Sequence, residues 1–224
     1  MFPGLVKDLT EPYKNIPQAQ NHYIKVLESN VPNHRQATGL VVVTAYKAFE
    51  VAKNLTSEHI HLASILGWCV DLLVGSWKMN DDTMDGSDTR CGKPCWYKND
   101  DIGLRAINDA VYLQHCPYLL LKKYFNGHYF YSPALDWFQK MTLILTLGQS
   151  MDTDCLENGR PLFDSFTMDR FKTITRYKGS YATLILPIAL AVDFAKLHVD
   201  LYKQMKSILF EMGNYLDAQN DILD

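Results

Sequence analysis

The chain has 224 residues, 47% of them hydrophobic, with 22 Lys and Arg against 25 Asp and Glu for a formal net charge of −3. That is enough for one large domain with a sizeable core, and the slightly acidic balance gives no basic surface of the kind that binds nucleic acid or an anionic membrane. The five cysteines are odd in number and irregularly spaced, which points to reduced thiols in an intracellular compartment rather than a disulfide framework. Cys91 and Cys95 are four apart, but no second Cys/His pair follows at zinc-site spacing. No run of about 18 uncharged apolar residues exists, so no membrane span is expected. Met1 to Asp8 has neither a signal-peptide apolar core nor transit-peptide character. The expected location is cytoplasmic, with a lost organelle leader as the alternative.

Helical stretches follow one another, and strand signals are nearly absent. The pattern predicts a short helix over Gln18 to Glu28, stopped by Asn30-Val31-Pro32, and another over Thr38 to Val51. Ser57 to Asp85 is the first long helix, with Ser57-Glu58 as a capped, acidic start. Gly86 to Asp101 reads as a loop. Asp101 to Phe125 is helical with a break expected near Cys116-Pro117. Pro133 to Asp154 is the next helix, Glu157 to Pro161 a turn, and Asp164 to Lys178 a helix. Ser180 to Leu197 follows with a kink expected at Pro187. Val199 to Asp224 is the last helix. It ends inside an acidic motif with no stop signal, so the chain reads as one all-α domain, 1–224, lacking its C-terminal part.

Two acidic clusters carry most of the chemistry. Asp81-Asp82-Thr83-Met84-Asp85 places Asp81 and Asp85 one turn apart on one helix face. Asn220-Asp221-Ile222-Leu223-Asp224 likewise aligns Asn220, Asp221 and Asp224. Carboxylates stacked this way repel one another unless a cation lies between them. Hard oxygen donors with few fixed protein contacts suit Mg2+, which keeps several waters and bridges to phosphates.

The first cluster runs on through Thr89-Arg90-Cys91-Gly92-Lys93-Pro94-Cys95-Trp96-Tyr97. Leu147-Gly148-Gln149-Ser150-Met151-Asp152, Arg176-Tyr177-Lys178-Gly179 with Leu186-Pro187, and Gln219 to Asp224 follow in order. This series resembles the farnesyl diphosphate synthase family of short-chain prenyltransferases along essentially the whole chain. The resemblance implies an isoprenoid synthase-type bundle of long helices around a deep apolar cavity. It implies that Asp81 and Asp85 hold two Mg2+ ions with Asp82 in support and Asp152 alongside. Asp221 and Asp224 bind a third ion, and Asn220 stands where the family has an Asp; Mn2+ is the alternative metal. Arg90 and Lys178 contact the allylic diphosphate, with Gln149 nearby, and these two cations join Asp81 and Asp85 as the catalytic set. Ser76 and Trp77 take the places of the two aromatic residues that floor the family's cavity. Trp77 then offers its ring to a carbocation. Asp217 stands where the family has a glutamine. A homodimer is the expected assembly.

The departures concern the second substrate, isopentenyl diphosphate. The family's Gly-Gly-Lys-x-Asn-Arg-Gly-Leu segment corresponds to Asn33 to Leu40, with Arg35 for the lysine and Thr38 for the arginine. Val74 replaces a glutamine, and Cys91 replaces the second arginine of the Thr-Arg-Arg loop. Two charge-assisted contacts of about 1.5–3 kcal/mol each, plus a neutral one, are missing, which weakens acceptor binding by roughly a thousandfold or more. An enzyme that ionises an allylic diphosphate without holding an acceptor lets the cation cyclise or lose a proton. The expected function is therefore a terpene synthase, acting on farnesyl diphosphate to give a sesquiterpene. In this it resembles the insect terpene synthases that look derived from farnesyl diphosphate synthases. The alternatives are a prenyltransferase with a rearranged acceptor site and a non-catalytic partner subunit.

Overall fold

The computed structural model describes residues 1–32, 37–157, 160–197 and 199–223; the side chains of 37, 156–157, 160–161, 199–202, 220–221 and 223 are outside that description. The described residues are helical almost throughout, as the all-α expectation requires. In order they form α1 (Phe2–Thr10), α2 (Pro17–Asn30), α3 (Ala37–Phe49), α4 (Ser57–Asp85), α5 (Arg105–Phe125) and α6 (Tyr131–Thr153). Then come α7 (Met168–Ile174), a π-helical stretch (Thr175–Ile185), α8 (Leu186–Phe194) and α9 (Val199–Leu223). Two hairpins of two-residue strands, β1 (Thr89–Arg90) with β2 (Lys93–Pro94) and β3 (Leu156–Glu157) with β4 (Arg160–Pro161), tighten the loops after α4 and α6. The chain divides into two compact units, Met1–Leu40 with Ser64–Tyr131, and Val41–Ala63 with Ser132–Asp224.

The first unit is built on α4. Its bounds match the sequence reading, but its cap is Thr56, whose hydroxyl accepts the His59 N–H at 3.2 Å. Helix α1 was not foreseen. Pro3 falls in its first turn, where a missing N–H costs nothing, and its buried residues Leu5, Val6 and Leu9 form the stripe that makes it stable against α2 and α5. Tyr112 ties α5 to it by donating to the Leu9 carbonyl at 3.1 Å. Helix α5 runs through Pro117 without the expected break. An interior proline costs about 3 kcal/mol. Leu113, Cys116, Leu120 and Leu121 around it are all at most 1% exposed, and their burial offsets that cost.

Where α3 begins it lies directly on α4. A Cβ at Gly39 would stand 2.6 Å from the Gly67 carbonyl oxygen, and one at Gly67 would stand 2.5 Å from the Gly39 carbonyl oxygen. No side chain fits between the backbones. The Gly39 N–H is in the first turn of α3 and lacks an intrahelical acceptor. Asp71 of α4 supplies one, its Oδ1 lying 2.9 Å away. Burial pushes the Asp71 carboxyl up to about 6, against the Gly39 N–H and the Lys78 charge, which both favour its ionised form.

In the second unit the apolar α8, buried from Leu186 to Val192, is the centre. The Tyr46 ring packs at a tilt 4.8 Å from that of Phe194, and Trp137 donates to Asp193 Oδ2 at 2.6 Å. The boundary expected near Ser180 is absent: α7, the π stretch and α8 follow without interruption from Met168 to Phe194. Pro187 falls in the first turn of α8, directly after the stretch where the hydrogen bonding is wider. Leu186 N–H bonds to the Tyr181 carbonyl, five residues back. Among the described residues, α4 is the one helix long and apolar enough to cross a membrane, and 61% of its most apolar window is buried within the protein.

Two outcomes test this description. Gly67→Ala is expected to destabilise the fold by about 3 kcal/mol, because its contact is with backbone that cannot swing aside; urea denaturation measures it. Asp71 carries a raised carboxyl, so its favourable contribution is full below its ordinary value near 3.8 and is lost as pH rises through about 6. Asp71→Asn should therefore gain stability relative to wild type between pH 4 and pH 7, by up to about 3 kcal/mol, in denaturation run across that range.

Candidate active site

The last turn of α4 collects Asp81, Asp82 and Asp85 at the end of the helix where the backbone dipole is already negative. The chain answers this with a cation. After α4 it turns at Gly86 (φ 68°) and enters β1, so that Arg90 reaches back to the cluster. Its Nε and Nη2 both donate to Asp82 Oδ1, at 2.9 and 2.5 Å, and Nη2 also donates to Asp81 Oδ2 at 3.2 Å. Asp82 is 4% exposed, so it serves mainly as an anchor for the guanidinium. Burial works against the Arg90 charge, but the Asp82 hydrogen bonds and the charges of Asp82 and Asp81 outweigh it and raise the pKa. The neighbouring Cys95 thiol is pushed up to about 11, by burial first and then by the Asp82 carboxylate, so it stays protonated. All five cysteines are free.

Asp81 and Asp85 each present a carboxylate oxygen, and the two lie within 4.8 Å of one another. Asp85 is exposed and Asp81 half-buried. Two hard anionic donors at this separation, open to water, fit a divalent ion such as Mg2+ or Mn2+ that retains part of its hydration shell. Their mutual repulsion is what such an ion would relieve.

In the second unit, Lys178 stands in the π stretch and pairs with Asp152 Oδ2 at the end of α6. Gly148 makes this approach feasible, since a Cβ there would stand 2.5 Å from the Lys178 backbone nitrogen. Gln149, next along α6, is 5% exposed, and its Nε2 has no hydrogen-bond acceptor among the described residues. The same is true of Ser180 Oγ as a donor or acceptor and of Asn214 Oδ1 as an acceptor. A Cβ at Gly213 would collide with the Ser180 side chain, and one at Gly179 with the Asp217 carboxylate. The structure thus turns Asp217 toward the π stretch beside Lys178, a placement that its position in the sequence left open. Arg176 stacks 4.5 Å from the centre of the Phe210 ring and is occupied there.

Ser76 is 1% exposed and spends its hydroxyl on the Leu73 carbonyl at 2.7 Å, so it acts as a small residue rather than a polar one. Trp77 is half-buried, and its Nε1 has no hydrogen-bond partner among the described residues. Val74 is buried, Thr38 half-buried and Cys91 exposed at a φ of 53°. Asn220 and Asp221 lie on α9, but their side chains, and Asp224 and Arg35 altogether, fall outside the described residues. Sequence reasoning missed Asp109, which is fully buried on α5 and accepts from both Trp96 Nε1 at 2.9 Å and His22 Nε2 at 2.7 Å. It also missed Lys93, which the hairpin sets opposite Arg90. Positive-φ propensity at Gly92 was the available signal for that turn.

Comparison with known proteins follows the same lines. The polyprenyl synthetase family matches residues 20–224. A farnesyl pyrophosphate synthase of Nezara viridula is 39% identical over 225 residues, taking in 100% of this chain and 55% of that protein. A farnesyl pyrophosphate synthase of Murgantia histrionica is 38% identical with the same coverage, 100% and 55%. A bifunctional chrysanthemol synthase, chloroplastic, of Tanacetum cinerariifolium is 38% identical over 200 residues, 89% of this chain and 51% of that protein. The chain spans about half the length of the curated relatives it matches.

The carboxylates of α4 should separate by role. Asp85→Ala is expected to weaken Mg2+ or Mn2+ binding about tenfold or more in calorimetry while leaving thermal stability nearly unchanged, because it is exposed at a helix end. Asp82→Ala should instead cost about 1–3 kcal/mol of stability, since it strips the Arg90 guanidinium of its main acceptor.

Proposed function

This chain belongs to the polyprenyl synthetase family, and from that premise we propose that the protein ionises an allylic prenyl diphosphate and transfers the prenyl group to isopentenyl diphosphate. The observation that carries the ionising step is the pair of Asp81 and Asp85 oxygens within 4.8 Å of one another, beside the Arg90 guanidinium. Mg2+ or Mn2+ on those oxygens would draw charge from the leaving diphosphate. Arg90 contributes a planar, always-charged fork for phosphate oxygens. It is already paired with Asp81 and Asp82, so it is positioned before substrate arrives. Lys178, steadied by Asp152, is the second cation that the family resemblance assigns to an allylic diphosphate. Asp152, Asp221 and Asp224, with Asn220, complete the ligand set that the family resemblance assigns to three ions, and a second copy of the chain is the expected partner.

What becomes of the cation depends on the acceptor. The names of the relatives support prenyl transfer, since two of the three are farnesyl pyrophosphate synthases. A second reading, release of the cation as a terpene formed from farnesyl diphosphate, is favoured by Thr38, Val74 and Cys91. None of these three side chains carries a positive charge, and Val74 is buried and apolar.

The deciding experiment gives full-length protein Mg2+ with geranyl or farnesyl diphosphate, with and without isopentenyl diphosphate. Prenyl transfer predicts a lengthened diphosphate only when isopentenyl diphosphate is present. A hydrocarbon or alcohol from farnesyl diphosphate alone, unchanged by isopentenyl diphosphate, would establish the second reading instead. No turnover under any condition would overturn both. Asp81→Ala and Asp85→Ala should abolish turnover, and chelation by EDTA should do so reversibly. Arg90→Ala and Lys178→Ala should each lower kcat/KM by about 10²-fold, because each offers a charge-assisted contact that strengthens as the diphosphate departs.

A further inference from the structure

The hairpin after α4 places two cations together. Strands β1 and β2 pair antiparallel with Thr89 opposite Pro94 and Arg90 opposite Lys93. The two residues between them, Cys91 and Gly92, both have positive φ, 53° and 75°. That is the tight turn whose twist matches a two-stranded ribbon. Residues directly opposite in an antiparallel pair project from the same face, with Cβ atoms about 4.5–5.5 Å apart. Arg90 and Lys93 therefore share a face. Like charges in that relation destabilise a strand pair, and a ribbon of two-residue strands has little ladder energy to absorb the cost.

Other groups keep the hairpin in this form. The Cys95 N–H donates to the Asp88 carbonyl at 3.0 Å, and Tyr97 donates to the Ser87 carbonyl at 2.9 Å. The indole of Trp96 is fastened to buried Asp109, which His22 of α2 also engages. The other basic side chains of the loop have carboxylate partners. Arg90 bonds to Asp81 and Asp82, and Lys98 pairs with Asp88 at 2.8 Å. Lys93 is exposed, and no ion pair to it occurs among the described residues.

We propose that Lys93 is a diphosphate-binding residue, supplying from across the hairpin the charge that Cys91 does not. Its ligand is the acceptor, isopentenyl diphosphate, held on the face it shares with Arg90. This assignment rests on the prenyl-transfer reading. It explains how a chain with an uncharged residue at position 91 keeps two cations on this hairpin: the tight turn moves the second one from the neighbouring residue to the opposite strand.

The test uses full-length wild type, Lys93→Gln and Lys93→Arg. Calorimetry with inorganic diphosphate, without divalent metal, should show binding weakened about tenfold or more in Lys93→Gln and restored in Lys93→Arg. Steady-state kinetics should show KM for isopentenyl diphosphate raised by a similar factor in Lys93→Gln, with KM for the allylic substrate unchanged. Diphosphate affinity equal to wild type in Lys93→Gln overturns the proposal, whatever the turnover. Weakened diphosphate binding with an unchanged isopentenyl diphosphate KM overturns its assignment to the acceptor. If the wild type elongates nothing, the prenyl-transfer reading fails by itself, and the metal-free binding arm still decides whether Lys93 holds a diphosphate.

Discussion

Three carboxylates crowd the end of α4, where the helix dipole adds to their repulsion, and the local structure follows from that charge. Nothing in the packing of a helix rewards such an arrangement. It persists because Arg90 is brought back to it and because the donor set can take up a divalent ion. The hairpin, its two positive-φ residues and the Trp96–Asp109–His22 chain all fix where that guanidinium stands. A buried carboxylate with two donors, as at Asp109, is costly to disrupt. The loop after α4 is thus tied to the core although most of its residues are exposed.

Glycine performs the corresponding task elsewhere. Gly39 and Gly67 let α3 lie on α4 at backbone contact, and Gly148 lets α6 meet the π stretch in the same way. Each removes a Cβ where another backbone must pass. The candidate site side chains Asp152, Gln149 and Lys178 then come from adjoining turns of closely seated helices. Positions set in this way are held by main chain, which repacks far less readily than side chains do.

Much of this was legible in the sequence. The α4 helix, from Ser57 to Asp85, was clear because apolar periodicity ran unbroken up to an acidic end. The candidate site residues were named from ordered motifs, and Asp81, Asp82 and Arg90 do meet at the end of that helix. Other features depended on tertiary contacts that no local pattern encodes. Pro3-Gly4 hid α1, whose stability comes from burying Leu5, Val6 and Leu9. Pro117 promised a break that its buried neighbours prevent. Gly179-Ser180 looked like a boundary because glycine is a poor helix former, yet its lack of a side chain is what admits the Asp217 carboxylate. A π register has no signature of its own in hydrophobic spacing, so Thr175–Ile185 was read as two helices with a gap.

That π stretch makes the position of Lys178 a matter of phase. Successive residues of an α-helix turn by about 100°, and bonding to the fifth residue back rather than the fourth takes up an extra residue without breaking the helix. Removing one residue between Lys178 and Ile185 while the wide register is kept takes one residue's turn out of the segment. Everything before the deletion would then rotate by roughly a quarter turn relative to the buried α8. Arg176 would leave Phe210, and Lys178 would leave Asp152, although neither residue had been replaced. Length is therefore a constrained property of this segment in its own right, and a one-residue gap here carries more consequence than most substitutions along the same helix.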